Sequence, residues 1–507
     1  MENYRNTITI FNENVRKQKN FWNHCLFHPT DAVEDDWGKR ILDQMAADKA
    51  IQTVRIYTMF EDIVSVDDNT GNLCFDFTLS DLRMDYLIEK GFSLLLAYGG
   101  MPDCIARSCA EKSSASKGKT RYKGKMWNTS PPKTPELWEE VCYQYTKHIV
   151  ERYGVERVNS WHCQCFNEPD IPIFFMKDEP LDTMRRVEEY LSMYEGFVKG
   201  VRRAGTKISV GGPTLAASTF FLEEFLKRIK EKNIEINYLT LHFYGTDPPY
   251  LTTGDHGLSA WGNIDRQRPK IDIIKKCGFG DTPIIADEWG ASSMGFFNKE
   301  ECKFLMFRET EIFSAYYVRF IYLLIHRFGV DIEKMLICLS GQHEMTEDFS
   351  GFRNFFTLNF IKKPIYNAYI LASKLGENLL RCSADITTPY PIEKDVLTVI
   401  PTKREDGSYA VLLCYGEGNF LMEAEDREET LEFEEDISNK TVTVWCIDKE
   451  HTNPYRYAQK MGWKDLTKEQ IEILREEGNL KPVRVCKGSE RITLKLTAGA
   501  TFLITVE

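Results

Sequence analysis

Ser160-Trp161-His162-Cys163-Gln164-Cys165-Phe166 runs directly into Asn167-Glu168-Pro169. A short β-rich run that stops at polar residues is one unit of a repeating pattern. Asn23–Phe27 comes first, then Val54-Arg55-Ile56-Tyr57 and Ser93-Leu94-Leu95-Leu96-Ala97. After residue 166 come Ile208–Pro213, Tyr238–Phe243, Pro283–Ala286 and Met335–Leu339. These runs are continuously apolar more than they alternate, which marks a parallel sheet buried on both faces.

Helices are expected between the runs. Thr134-Pro135-Glu136 sets a capping residue before proline at the first helical position. Leu137, Val141, Tyr145 and His148 then share a face, and Tyr153-Gly154 stops the helix. Leu181–Gly205, Phe220–Asn233 and Phe304–Phe328 read the same way. Eight strand–helix units predict an α/β architecture closed as a (β/α)₈ barrel over residues 15–376.

Beyond Gly376 the pattern becomes antiparallel. Val396–Pro401, Tyr409–Tyr415, Thr441–Ile447 and Ile492–Val506 read as strands, with Asp406-Gly407 as a turn. A β-sandwich is expected over 377–507. Thr467-Lys468-Glu469-Gln470 is a capping box opening a helix at Ile471–Glu476. The acidic stretch Glu423–Glu435 reads as a solvated loop or edge.

The 507 residues are 43% hydrophobic and 28% charged, which excludes disorder, collagen and coiled coil as the dominant class. With 76 acids against 64 bases, the net charge of −12 argues against nucleic acid as a partner. No apolar run reaches the length of a membrane span. The start, Met1-Glu2-Asn3-Tyr4-Arg5, lacks the apolar segment of a signal peptide. Fourteen scattered cysteines then read as reduced thiols in the cytoplasm. Cys163 and Cys165 are expected as small buried side chains, since no second ligand pair completes a zinc site.

In such a barrel, catalytic groups close the C-terminal ends of strands. Glu168 ends the fourth and Glu288 the seventh. Two carboxylates across one mouth suit glycoside hydrolysis, a retaining enzyme holding them ~5–5.5 Å apart. Glu168 is read as acid/base and Glu288 as nucleophile. Asn167 is placed on the sugar 2-hydroxyl, and Arg55 beside Glu288 to keep it ionised. Tyr57, His242, Tyr244 and Trp289 complete the candidate substrate-binding set. Each signal has a plainer reading. Asn-Glu-Pro arises by chance in about one chain in twenty of this length. Glu288 fits an ion pair, His242 a core histidine, Trp289 packing, and Arg55 a partner for Asp62. The ordered set, each member at its own strand end, favours chemistry.

That ordered set resembles glycoside hydrolase family 39. The likeness covers nearly the whole chain. It runs through Phe21-Trp22-Asn23-His24-Cys25, Val54–Tyr57, Gly100-Met101-Pro102 and Arg152-Tyr153-Gly154. It continues in Trp161, Phe166–Asp170, Val210–Pro213, His242-Phe243-Tyr244 and Lys363-Pro364, then Ile447-Asp448, His451-Thr452-Asn453 and Met461-Gly462. The resemblance implies acid/base Glu168, nucleophile Glu288, β-xylosidase or α-L-iduronidase chemistry, and a strand from residues before 15 joining the sandwich. The chain departs from the family pattern at Tyr57, where histidine is usual, and at Phe166, where tryptophan is usual. The eighth strand ends with Gln342, His343 and Glu344 in place of an aromatic–acid pair.

The reading is therefore a cytoplasmic, retaining, exo-acting glycosidase, a β-xylosidase first. It uses no cofactor or metal, takes a small oligosaccharide or glycoside, and is a possible homo-oligomer. Its rivals are a family member acting on terminal arabinose, galactose or uronate, a glycan-binding barrel without activity, and a metal-dependent barrel enzyme. The last needs a third ligand, and Asp287 is expected to face away from Glu288 because strand neighbours alternate.

Overall fold

The computed structural model describes residues 6–113, 126–245, 259–295, 297–384, 397–416 and 425–507. Met1–Arg5, Val396 and Glu423, all used in the sequence reading, lie outside them, as does the side chain of Glu344.

Eight parallel strands close into a barrel. In order they are His24–Phe27, Thr53–Tyr57, Ser93–Tyr98, His162–Cys165, Ser209–Leu215, Tyr238–Tyr244, Ile284–Gly290 and Ile332–Leu339. The eighth pairs with the first, Ile337 opposite Cys25, and so closes the ring. Cys163 and Cys165 are fully buried on the fourth strand.

A helix follows every strand: Asp36–Ala47, Thr78–Glu89, Pro135–Tyr153, Thr183–Arg203, Thr219–Glu231, Ala260–Lys276, Glu311–His326 and Pro364–Ala372. Thr134 caps the third by accepting Leu137 N–H, and Gly154 ends it at φ 82°, a conformation that suits glycine. The helix expected at Phe304–Phe328 is in fact two elements. A 3₁₀ segment, Lys303–Glu309, precedes Glu311–His326, and Thr310 between them is extended. The interruption lets Glu309 turn inward, where it accepts Lys363 Nζ at 2.7 Å and Gly351 N–H at 2.8 Å.

The seventh strand does not keep strict alternation. Its register slips against the sixth strand between Leu241 and His242, and against the eighth between Ala286 and Trp289. This irregularity places Asp287 and Glu288 both toward the barrel axis. The expectation that Asp287 faces away is thus corrected. Its carboxylate lies 3.2 Å from the Arg55 guanidinium and accepts Gln164 Nε2–H at 2.8 Å.

The second layer is one nine-stranded sheet. Its spatial order is Pro482–Lys487, Thr441–Ile447, Thr501–Val506, Tyr409–Tyr415, Leu397–Lys403, Asn378–Cys382, Asn6–Lys17, Arg427–Phe433 and Ile492–Leu496. The N-terminal strand therefore sits inside a sheet built otherwise from the far end of the chain, antiparallel to Asn378–Cys382 and parallel to Arg427–Phe433. Two readings need correction here. Ile492–Val506 is two strands, parted by a turn at Gly499 with φ 84°. The acidic stretch contains a paired strand, Arg427–Phe433, whose Leu431 is core and whose Glu429 is buried against Arg427.

Tyr409–Tyr415 is buried on both faces. Val411 and Leu413 join the sheet's own core, while Ala410, Leu412 and Cys414 join the barrel's. Each such leucine stabilises by about 1.5–3 kcal/mol on full burial. Polar ties fix the seam. Arg319 donates to Thr398 Oγ1 at 2.8 Å, and fully buried Glu311 receives Arg456 through two contacts of 2.8 and 3.0 Å.

Candidate active site

A cavity of about 650 Å³ opens at the C-terminal ends of the barrel strands. Tyr57, Asn167, Glu168, His242, Tyr244 and Glu288 all line it. Six of the eight candidates from the sequence therefore share one wall system.

The fourth strand ends in a constrained turn. Phe166 and Glu168 both have left-handed backbones, with φ 65° and 44°. Such residues cost about 1–3 kcal/mol each and persist only where surroundings hold them. Here Phe166 N–H donates to Tyr98 O at 2.7 Å, and Glu168 N–H to Thr214 O at 3.0 Å. Asp170 then accepts the backbone N–H groups of Ala216, Ala217 and Ser218. The turn is thereby pinned to the fifth strand, and Glu168 is aimed into the cavity.

Glu288 is only 8% exposed and surrounded by donors. Arg55 NH1 donates to Oε1 at 2.8 Å, Tyr57 Oη–H to the same oxygen at 3.2 Å, and Tyr244 Oη–H to Oε2 at 2.8 Å. Burial alone would raise its pKa. His242, Arg55 and Arg353, with the Tyr244 hydroxyl, outweigh burial and bring it down to about 2.

Glu168 has the opposite balance. Burial raises its carboxyl above the usual range, against the pull of His242. His242 Nδ1 lies 2.7 Å from Glu168 Oε1. Burial opposes charging His242, but Glu288, Asp287 and Glu168 push it up to about 10, so the ring is an imidazolium and donates Nδ1–H to Glu168. One carboxyl of the pair is thus held as an anion and the other is biased toward the acid. Carboxylate oxygens of the two lie within 4.8 Å of each other.

Two candidates sit elsewhere. Trp289 is fully buried and faces the helices, stacked on Tyr317 and Phe320, with its indole N–H donating to Tyr369 Oη at 3.1 Å. It is packing, because alternation beyond Glu288 turns it outward. Arg55 lies beneath the cavity floor, fully buried, and holds Glu288, Asp287 and Asn167 Oδ1 (2.7 Å) instead of meeting a ligand. Asp62, its alternative partner, is taken by Arg83 at 2.9 Å. Gln342 and His343 turn aside to Asp35, at 2.8 and 3.2 Å.

Sequence reasoning missed Arg353, Lys270 and Asp31, which also line the cavity. Arg353 NH1 donates to Tyr244 Oη at 3.1 Å. Lys270 donates to the carbonyls of Ala216 and His242, and burial lowers its pKa to about 8. Asp31 packs against Gly341, where a Cβ would stand 2.5 Å from the carboxyl carbon. None of the three closes a barrel strand, so the search by strand ends passed over them.

Among the described residues, two groups have the donors for a metal ion. Glu168, His242 and Glu288 form one, but hydrogen bonds from His242, Arg55 and Tyr244 already engage the inward oxygens. Cys446, Asp448 and His451 form the other, where Asp448 Oδ1 accepts two backbone N–H groups and sits 2.9 Å from the His451 ring.

Comparison with known proteins agrees with this geometry. The family model for glycosyl hydrolases family 39 matches residues 7–492. The chain is 26% identical over 502 residues to a β-xylosidase of Caldicellulosiruptor saccharolyticus, covering 95% of this chain and 93% of that one. It is 22% identical over 403 residues to a β-xylosidase of Geobacillus stearothermophilus, covering 76% and 71%. Its fold superposes on a monomeric β-xylosidase from Caulobacter crescentus CB15 with a TM-score of 0.80, at 19% identity and 99% coverage of both chains.

Proposed function

The chain belongs to glycoside hydrolase family 39, and from that membership we propose that it is a retaining, exo-acting β-xylosidase. The observation carrying this reading is the pair Glu168 and Glu288, with carboxylate oxygens inside 4.8 Å and opposite electrostatic surroundings. This proximity supports a retaining pair, whose carboxyl groups stand ~5–5.5 Å apart.

In the first step Glu288 attacks the anomeric carbon while Glu168 gives its proton to the glycosidic oxygen. The aglycone leaves as an alcohol and the sugar remains as an ester on Glu288. His242 holds Oε1 of Glu168, which leaves the other oxygen to carry the proton toward the cavity. Forming the ester removes the Glu288 charge that helps keep Glu168 protonated. Glu168 then serves as base, takes a proton from water, and the hydroxide displaces Glu288 from the sugar. Asn167, oriented by Arg55, is placed on the 2-hydroxyl. A cavity of this size, within the range of small-ligand sites, supports removal of a terminal sugar. The cytoplasmic setting read from the many thiols belongs to the same proposal.

One observation favours a second reading. Arg353, Arg266 and Lys270 bring cationic side chains to the cavity wall, which suits the carboxylate of a terminal uronide. Aryl β-xyloside, α-arabinoside, β-glucoside, β-galactoside and α-L-iduronide, assayed beside Glu288→Gln, separate the readings. Release from the β-xyloside alone, absent in the variant, supports the first; release from the iduronide alone supports the second. Silence across the panel overturns both. Activity should persist in EDTA, and its loss there would overturn the metal-free mechanism.

A further inference from the structure

The wall on the Glu168 side of the cavity differs from the rest. The segment after Glu168 folds back over the mouth through short turns, Ile171 N–H donating to Glu168 O and Phe174 N–H to Ile171 O, both at 3.0 Å. Met176 N–H then donates to Thr129 O at 2.8 Å, which ties the segment to the loop after the third strand. That loop brings Trp127 against Phe174. Their rings stack at 5.9 Å and 10°. Trp127, Phe174, Ile171 and Ile173 all line the cavity, and Ile173 is 38% exposed.

This face is built. Asn128, beside Trp127, donates to Asp103 Oδ1 at 2.9 Å and Ser108 O at 2.8 Å, and accepts Ser130 N–H at 2.8 Å. Its amide is fully engaged in holding the loop, so it has little to offer a ligand hydroxyl. The stacked pair keeps its geometry before anything binds, which lowers the ordering cost of a ligand. Apolar surface held open on a cavity wall marks a ligand site.

The direction of the chemistry identifies the ligand. The leaving oxygen must meet the Glu168 carboxyl, so the departing group extends over the residues that follow Glu168. We propose that Ile171, Ile173, Phe174 and Trp127 form an aglycone subsite for an apolar, ring-bearing alcohol, so that the natural substrates are glycosides of aromatic or terpenoid-like aglycones more than sugar–sugar chains. This rests on the assignment of Glu168 as the acid. Glu61, on the same cavity beside Gly100, is the polar group that a second sugar would use instead.

The test uses the sugar released in the panel above, as three derivatives: its benzyl glycoside, its homodisaccharide and its glycosyl fluoride. Benzyl alcohol and sugar are both alcohol leaving groups, while fluoride has no aglycone to bind. The expected kcat/KM for the benzyl glycoside exceeds that for the disaccharide by about tenfold or more, the scale of aromatic contacts. Trp127→Ala and Phe174→Ala should each cost the benzyl glycoside several-fold more than the fluoride. A wild-type preference for the disaccharide overturns the proposal and moves recognition to Glu61. Equal losses on benzyl glycoside and fluoride also overturn it, by assigning the pair to the fold. If no derivative is hydrolysed by wild type, the glycosidase reading fails and takes this one with it. A disaccharide preference alongside a dead Glu288→Gln leaves that reading standing and removes only this one.

Discussion

The barrel mouth and the seam between barrel and sheet both bury carboxylates, yet they treat them differently. At the seam the acid is closed off. Glu311 is fully buried, with Arg456 on both oxygens and Asn453 Nδ2 at 2.8 Å. At the mouth Glu168 has one imidazolium and an open cavity, and Glu288 has donors that leave it facing the same space. A buried charge is costly unless paired. Full pairing gives a structural tie. Pairing that stops short on the cavity side leaves a carboxyl whose protonation state responds to what enters.

The sharpest break of this comparison is Glu288→Gln. It should lower kcat by ~10⁴-fold or more in a protein that still folds, since removal of a nucleophile is of that order. A rate near wild type would show that the two regions are alike in function. Arg456→Ala is the converse. Removing one partner of a buried pair should cost about 3 kcal/mol in urea unfolding, while kcat/KM of the folded protein stays within about twofold. Unchanged stability would mean the seam pair is ornamental.

Tyr244→Phe comes next. It deletes a hydrogen bond to a charged group, about 1.5–3 kcal/mol, so kcat/KM should fall roughly 10- to 100-fold. That hydroxyl lowers the Glu288 pKa, so the acid limb of the pH profile should move to higher pH. A parallel drop with an unmoved limb would refute the electrostatic role.

The smallest effect is on stability against pH. His242 is raised from 6.5 to about 10 in the folded state. Its contribution is therefore full below pH 6.5 and lost as pH rises through about 10. Glu288, lowered to about 2, works in reverse: its contribution is full above 4.5 and lost as pH falls through about 2. Melting temperatures taken from pH 7 to 10 should decline in wild type and decline less in His242→Gln. Identical slopes would locate the alkaline sensitivity elsewhere.

Most of the barrel was legible because each strand and helix declares itself locally, through apolar runs, the Thr134 cap and the Gly154 stop. The two acids that share the cavity, Glu168 and Glu288, were legible because both were sought at strand ends. Asp287 was not, since the register slip depends on both neighbouring strands. Trp289 was misplaced although the alternation applied to Asp287 would also have turned it outward. Arg353 lies in a loop after the eighth strand and meets Tyr244 across 109 residues, a contact that no local pattern announces. Arg427–Phe433 hid for a different reason. Its glutamates mask a buried centre that shows only in the fold, with Glu429, Thr430 and Leu431 inside and Glu428 and Glu432 outside.

The strand Asn6–Lys17 also carries a consequence for how the protein is made. Thr9 and Ser383 bond across 374 positions of chain. At ~5–20 residues per second, a ribosome takes roughly 20 to 75 s to deliver the partner after the first strand has emerged. For that interval a β-prone segment travels with no ladder, and the accessory layer cannot mature as an independent unit behind the barrel. A circular permutant that carries residues 6–17 after Glu507 would let the last layer assemble from contiguous chain, and should shorten the dwell of the nascent protein on chaperones.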